Sequence, residues 1–447
     1  MLTLRLQRNP ERGANSDELR LLADNPPYHR KREIVNDDFR PFVPAAGSGP
    51  APDTTDRAHA EFVQQRPRAK VLWGQWADLA AQPFFGITTD GERKSDIYVL
   101  GDNGAPTVQT KAAAEALLRL LSADERSSIE LGVTSHLWRH WQNTEVHVEH
   151  HGLWLDAVSG EVRSVVADVL RASLSSGGYK LSRDVMRLNQ FIGELIGIPK
   201  VMGEWTYTFS LFGPPSLSEP WGWQLFGHHL SINCVFIGNQ MVLTPCFLGS
   251  EPTHADSGPF TGTRVFGEHF NLGLELINSL DSDQRQRAII ADSLLSDDLP
   301  PGRHHFADHL MLAGAFQDNR VVPYEGISVA EFSADQLERL MLLFDVYIDP
   351  LPEMPRAQRR QEIEQHLSST HFCWVGGHQS DSVFYYRIQS PVIFIEFDHH
   401  SGIFLTNEKP AQFHVHTIVR TPNGNDYGID LLRQHYEHGH SHAHSEI

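Results

Sequence analysis

The chain has little cysteine, no long apolar run and a shortage of positive charge, and each lack removes a class of function. Three cysteines in 447 residues (Cys234, Cys246, Cys373) cannot build a disulfide framework, and none stands in a Cys-x-x-Cys pair. Cys234 and Cys246 flank an expected hairpin turn, yet buried free thiols are the plainer expectation. No apolar run approaches the roughly 20 residues a bilayer span needs. The start, Met1-Leu2-Thr3-Leu4-Arg5, lacks the basic-then-apolar order of a signal peptide. A soluble, cytoplasmic protein without a membrane partner is expected. With 37 Lys plus Arg against 56 Asp plus Glu, the formal charge is −19. Such a surface repels phosphate backbones, so no nucleic-acid partner is expected. A Gly-rich phosphate loop, a Gly-x-Ser-x-Gly elbow and a His-Glu-x-x-His helix are also missing. Nucleotide binding and serine-hydrolase chemistry therefore have no support.

Histidine is what the chain has in quantity. There are 26, gathered at Gly227-His228-His229, Arg303-His304-His305, Asp398-His399-His400, His414-Val415-His416 and a tail from His435 to His444. Neutral imidazole is the commonest metal ligand, so clusters of it mark candidate metal centres.

The first 60 residues are rich in Pro, Asp and Arg and read as an extended N-terminal arm, able to wrap a partner subunit in a homo-oligomer. Residues 61–436 read as a single large domain, and 437–447 as a disordered His-rich tail. Thr110 precedes a strong helix through Leu121 and is placed to cap it. Ser122 with Glu125, and Ser333 with Gln336, have capping-box spacing, and Ser279–Gln284 opens a further helix. Helices are also expected over 160–174, 183–196 and 356–367. Strands group in two blocks. One contains a hairpin with arms Trp223–Ile237 and Gln240–Leu248 about a Gly238-Asn239 turn; the other runs from Val383 to Arg420. This grouping predicts an α+β fold, with antiparallel strands in a sheet or partial barrel packed with several helices.

Strand alternation sorts the histidines by face. His228 falls with Leu230 and Ile232, and His229 with Ser231 and Asn233. Glu396, Asp398 and His400 share one face, while Ile395, Phe397 and His399 share the other. His414 and His416 lie on one face, and His-x-His on a strand aims two imidazoles at one point. The loop after the first block carries Glu251 and His254, either of which suits a ligand or a general base. Arg420, on the His414/His416 side, is placed to clamp an anionic substrate or to pair with Asp426. Arg387 is a second such cation, with a buried salt bridge as its ordinary role. The tail binds divalent metals by composition alone, and His150-His151 and His304-His305 have no strand context.

Several stretches resemble the family known as domain of unknown function 3500. They are Trp221-Gly-Trp-Gln-Leu-Phe-Gly-His-His-Leu230, Phe247-Leu-Gly-Ser-Glu-Pro-Thr-His-Ala-Asp-Ser-Gly258, Asn319-Arg-Val-Val-Pro-Tyr-Glu-Gly326, Asp381-Ser-Val-Phe-Tyr-Tyr-Arg387 and His414–Gly428. The resemblance implies one large domain over roughly 110–436 and supplies no activity. It also implies a strand end of Phe-Asp-His followed by a variable residue, which favours His399 over His400.

The expectation is therefore a metal-dependent enzyme, first a hydrolase, acting on a small polar molecule. His228, His229, His399, His414 and His416 are the candidate ligands for a divalent zinc, iron or manganese ion. Glu251, Asp398 and Arg420 are the candidate catalytic groups. A metal-dependent lyase or oxygenase, and a metal-binding or storage protein, are the alternatives, together with a metal-free enzyme using a His–carboxylate pair.

Overall fold

The computed structural model describes residues 37–45, 47, 53–146, 148, 151–295, 299 and 301–442, with side chains as far as 437. Most of the expected arm, His150 and residues 443–447 lie outside the described residues. The helices are α1 (Asp56–Gln64), α2 (Pro67–Ala80), α3 (Thr107–Leu120), α4 (Ala123–Ile129), α5 (Gly160–Ser173) and α6 (Ser176–Ile196). They continue with α7 (Gly267–Ser279), α8 (Ser282–Ala288), α9 (Ala334–Ile348), α10 (Glu353–Gln365) and α11 (Ile429–His442). Helix α11 thus runs into the His-rich tail. No described helix is long and apolar enough to cross a membrane.

Local chemistry accounts for the helix starts. Ser122–Glu125, Asp281–Gln284 and Ser333–Gln336 each form a complete capping box. Thr110 departs from expectation, because α3 begins at Thr107 and Thr110 sits inside it. Its hydroxyl donates instead to the carbonyls of Pro106 (2.9 Å) and Ala172 (3.1 Å), tying α3 to α5.

The strands are β1 (Glu130–Leu131), β2 (Leu153–Trp154), β3 (Tyr207–Phe212), β4 (Trp221–Gly227), β5 (Leu230–Ile237), β6 (Gln240–Val242) and β7 (Cys246–Ser250). Then follow β8 (Ile289–Ala291), β9 (Ile327–Ser328), β10 (His371–Gly376), β11 (Phe384–Gln389), β12 (Phe394–His399) and β13 (Val415–Arg420). They form one sheet in the order β1-β3-β4-β5-β7-β13-β12-β11-β10-β8, with β2, β6 and β9 paired beside it. Pairing is antiparallel except for β1 with β3 and β8 with β10. The terminal strands do not pair, so the α+β fold has an open sheet rather than a barrel.

The two faces of the sheet are covered differently. One packs Trp223, Ile232, Ile395 and Val419 against apolar residues of α3, α5, α6, α7 and α9. The other lies under α2 and irregular chain around 138–141 and 311–322. Irregular backbone buried against a sheet has donors and acceptors to satisfy, and strand side chains do so. The Glu396 carboxylate accepts the Leu312 and Ala313 N–H groups at 2.8 and 2.9 Å. Gln224 donates to the Trp138 carbonyl at 2.8 Å. Buried polar residues on this face are its means of holding loops.

One strand departs from expectation. The predicted arm Trp223–Ile237 is broken into β4 and β5, with Gly227 opposite Leu230 and His228-His229 as the turn. Strand alternation therefore does not govern these two histidines. His229 takes φ +62°, a left-handed conformation uncommon for a residue with a side chain. The Gly238-Asn239 turn forms as expected, with Ile237 opposite Gln240.

Candidate metal centre

The β4–β5 turn and the start of β13 meet at one end of the sheet, on the loop-covered face. Register places His416 opposite Gly249 of β7 on one side and Asp398 of β12 on the other. The main chain of His229 is fixed from both sides. Its N–H donates to the Asn143 carbonyl (3.1 Å), and its carbonyl accepts the Gly249 N–H (2.7 Å). The left-handed turn then swings its ring toward β13.

Three ring nitrogens converge there. The Nε2 atoms of His229 and His414 are 3.2 Å apart, those of His229 and His416 3.0 Å, and those of His414 and His416 3.1 Å. All three residues are buried, and they are the one group of three or more such side chains among the described residues whose ligand atoms cluster this closely. Nitrogens bound tetrahedrally to an ion at about 2.05 Å stand about 3.3 Å apart, and at right angles about 2.9 Å. The observed triangle falls between these values.

Hydrogen bonding alone serves this triangle poorly. His414 Nδ1 lies 2.7 Å from the Ser401 carbonyl oxygen, which can only accept, so the ring proton is on Nδ1 and Nε2 presents a lone pair. The neutral rings of His229 and His416 then offer at most two protons for three close contacts. Burial and the neighbouring imidazoles hold all three rings well below the ordinary histidine range. They are neutral at pH 7, the state in which imidazole ligates. A divalent cation at the centre would satisfy all three lone pairs at once.

The remaining sequence candidates are distributed around this triad. His228 stacks on His229 (3.9 Å between ring centres) but directs Nδ1 to Asn189 Oδ1 at 2.7 Å. It backs the triad without joining it. His399 is on the opposite, helix-covered face, with Nδ1 against the Phe384 backbone at 3.0 Å and its ring among Phe270, Phe384 and Phe397. His400 instead lies beside the triad, 4.5 Å from the His416 ring and 4.8 Å from that of His414. The fold thus brings His400, and not the favoured His399, to the triad's side. The nitrogens of His400 are otherwise engaged. Its two nitrogens face the carbonyls of Ser401 (3.0 Å) and Ala307 (3.2 Å), so His400 is a neighbour and not a ligand.

Glu251 stands behind His414, 3.8 Å from Nδ1 and so on the far side of the ring from Nε2. Its carboxylate accepts the N–H groups of Ile403, Phe404 and Leu405 at 3.0 to 3.3 Å. Burial pushes it up to about 7, although these three donors pull the other way. It anchors the loop that supplies Ser401. Asp398 is fully buried on the triad's side of the sheet, and burial raises its carboxyl well above the usual range.

Arg420 does not reach the triad. Its guanidinium is committed to Asp426 (2.8 Å), the Ala313 carbonyl (2.9 Å) and Asp318 (2.5 Å), the structural alternative to a substrate clamp. Arg387 pairs with Glu325 at 3.0 Å. His254 packs on Phe39 and is 3.9 Å from Asp37.

Sequence reasoning missed several neighbours. His309 stacks on His400 at 3.4 Å and is followed by His304 at 4.8 Å. Both sit in irregular chain, where no periodicity marks a face. Glu145, paired with His59 at 3.3 Å, acts electrostatically on His228, and only its proximity in the fold reveals it.

An open-sheet α+β domain with a buried three-histidine cluster on its loop-covered face is the class that fold and site define. The chain belongs to the family described as protein of unknown function (DUF3500), whose model matches residues 103–429. No curated protein and no solved structure matches it.

Proposed function

We propose that the protein is a metal-dependent enzyme, a hydrolase of a small polar molecule, with His229, His414 and His416 holding a divalent zinc, iron or manganese ion. The observation that carries this reading is the Nε2 triangle, with sides of 3.0, 3.1 and 3.2 Å. Three neutral nitrogen donors suit those transition metals and not magnesium or calcium, which prefer oxygen. An ion held by three protein ligands keeps a position for water and lowers its pKa, supplying a nucleophile near neutral pH.

The chain's own residues supply the setting. The Ser401 carbonyl fixes the tautomer of His414, the second-layer contact that ligating histidines usually make. His229 and His416 retain only 4% and 5% of their accessible surface, which favours a small substrate. Hydrolysis asks least of these surroundings, since water is the only second reactant.

The test is turnover of a panel of small esters, amides and phosphate esters by full-length protein, before and after chelation and with each ion restored. Turnover abolished by chelation, restored by one ion and absent in His416→Ala is expected. Turnover indifferent to the chelator and to that substitution would leave a metal-free mechanism in its place.

A further inference from the structure

Residues 37–43 precede the family match, yet they pack on residues that stand next to those around the triad. Phe39 is 1% exposed, with ring contacts to Phe191 (5.9 Å), His254 (5.0 Å) and Phe413 (6.5 Å). Phe42 packs on Phe413 at 5.7 Å, and its carbonyl accepts the Thr406 N–H (2.8 Å) and hydroxyl (3.0 Å). Arg40 forms a forked pair with Asp256, 2.6 Å through Nε, and also donates to Ser257 at 2.7 Å. Asp37 pairs with Arg264 at 2.5 Å.

Three of these partners, Phe413, Thr406 and Phe191, lie one step from groups that hold the triad. Phe413 adjoins His414, and its carbonyl accepts the Thr253 N–H at 2.9 Å. Thr406 belongs to the loop whose Ser401 carbonyl orients His414 and whose 403–405 amides hold Glu251. Phe191 is two residues from Asn189 on α6, which holds His228 against His229. The loop between β12 and β13, the loop after β7 that carries Asp256, and helix α6 therefore meet on one short segment. A segment that ties two loops to a helix raises the cost of opening either of them.

We propose that residues 37–43 are an N-terminal clamp that sets the geometry of the triad, with Phe39 and Arg40 as positioning residues for the metal. The clamp rests on the metal reading above. It makes retention of the ion depend on a segment outside the matched domain, which docks on the chain's own site.

The test is zinc affinity, measured by competition with a chromophoric chelator. The protein is full-length, with the tail histidines His438, His440, His442 and His444 changed to Gln. In that background Phe39→Ala and Arg40→Ala are compared with Phe332→Ala, a core substitution at the far end of the sheet. Both clamp variants should weaken zinc binding roughly tenfold or more, as loss of second-layer support does elsewhere. Phe332→Ala, even with an equal fall in melting temperature, should not. A peptide spanning 37–45 should restore part of the affinity of Phe39→Ala. Unchanged affinity in the two clamp variants, or an equal loss in Phe332→Ala, overturns the clamp and leaves the metal site standing. Absence of zinc binding in the parent protein removes both.

Discussion

The Nδ1 of His414 lies 2.7 Å from the carbonyl oxygen of Ser401, and this contact decides which way the imidazole lone pair faces. The same loop is gripped by Glu251 through three backbone amides. The chemistry at Nε2 is thus governed from behind, by groups that never face the triangle.

The first prediction concerns Gly249. A Cβ there would stand 2.8 Å from the Val415 carbonyl, 3.0 Å from His416 Cδ2 and 3.1 Å from His229 Cδ2. Two of the three triad rings must move to admit it, and the third obstacle is backbone. Gly249→Ala should cost roughly 1–3 kcal/mol of stability from overpacking and weaken metal affinity roughly 10–100-fold. Calorimetry and metal titration separate the two effects. A stable variant with unchanged affinity would show that the ring positions do not set binding.

A second prediction contrasts neighbours in sequence. His399→Leu should retain the metal, since that ring points into the helix-covered core, whereas His229→Ala should lose it. Elemental analysis of both variants checks this. Metal lost from His399→Leu with its fold intact would contradict the placement.

Strand alternation makes part of this site legible in the sequence, and irregular chain hides the rest. Alternation places His414 and His416 on one side because both sit on or beside a real strand, and their Nε2 atoms do converge. Period two also placed Glu396, Asp398 and His400 correctly on one face of β12, opposite His399. It failed at His228 and His229, because a turn interrupts the expected strand there and φ, not alternation, directs the ring. The expectation for Arg420 named its side correctly and Asp426 as the alternative partner. It lacked Asp318, more than a hundred residues away, which completes the buried network. His309, His304 and Glu145 lie on irregular chain, whose path depends on long-range contacts that no local pattern encodes.

The third prediction follows from Arg420. It is fully buried between Asp318 and Asp426, and truncation would leave Asp426 buried without its cation, while Asp318 keeps Arg139 at 2.8 Å. Arg420→Ala should destabilise the protein by roughly 3–5 kcal/mol, read from urea unfolding. The affinity of the remaining folded protein for metal should stay near the parent value. A selective loss of turnover at full stability would restore the substrate-clamp role.

The fourth prediction is a pH dependence, isolated at His269, which is remote from the triad and packs against Tyr347. Burial pushes this histidine down to about 3. The unfolded chain therefore takes up the proton first, near the ordinary value of about 6.5. The stability that neutral His269 contributes is complete above that pH and is lost as pH falls toward the folded value. Between pH 6.5 and 4.5, metal-free parent protein should lose about 2 kcal/mol more in total than His269→Phe. Urea unfolding at the two pH values gives the difference. Equal slopes would mean that the ring is solvated or protonated in the folded state.

The central claim is that the Nε2 triangle of His229, His414 and His416 holds a divalent transition metal. It is tested most directly by elemental analysis of full-length protein whose tail histidines are replaced by Gln, with and without His416→Ala. Stoichiometric zinc, iron or manganese in the first protein, and its loss from a folded His416→Ala variant, is the result predicted. No bound metal in the first, or equal metal in both, would contradict the claim.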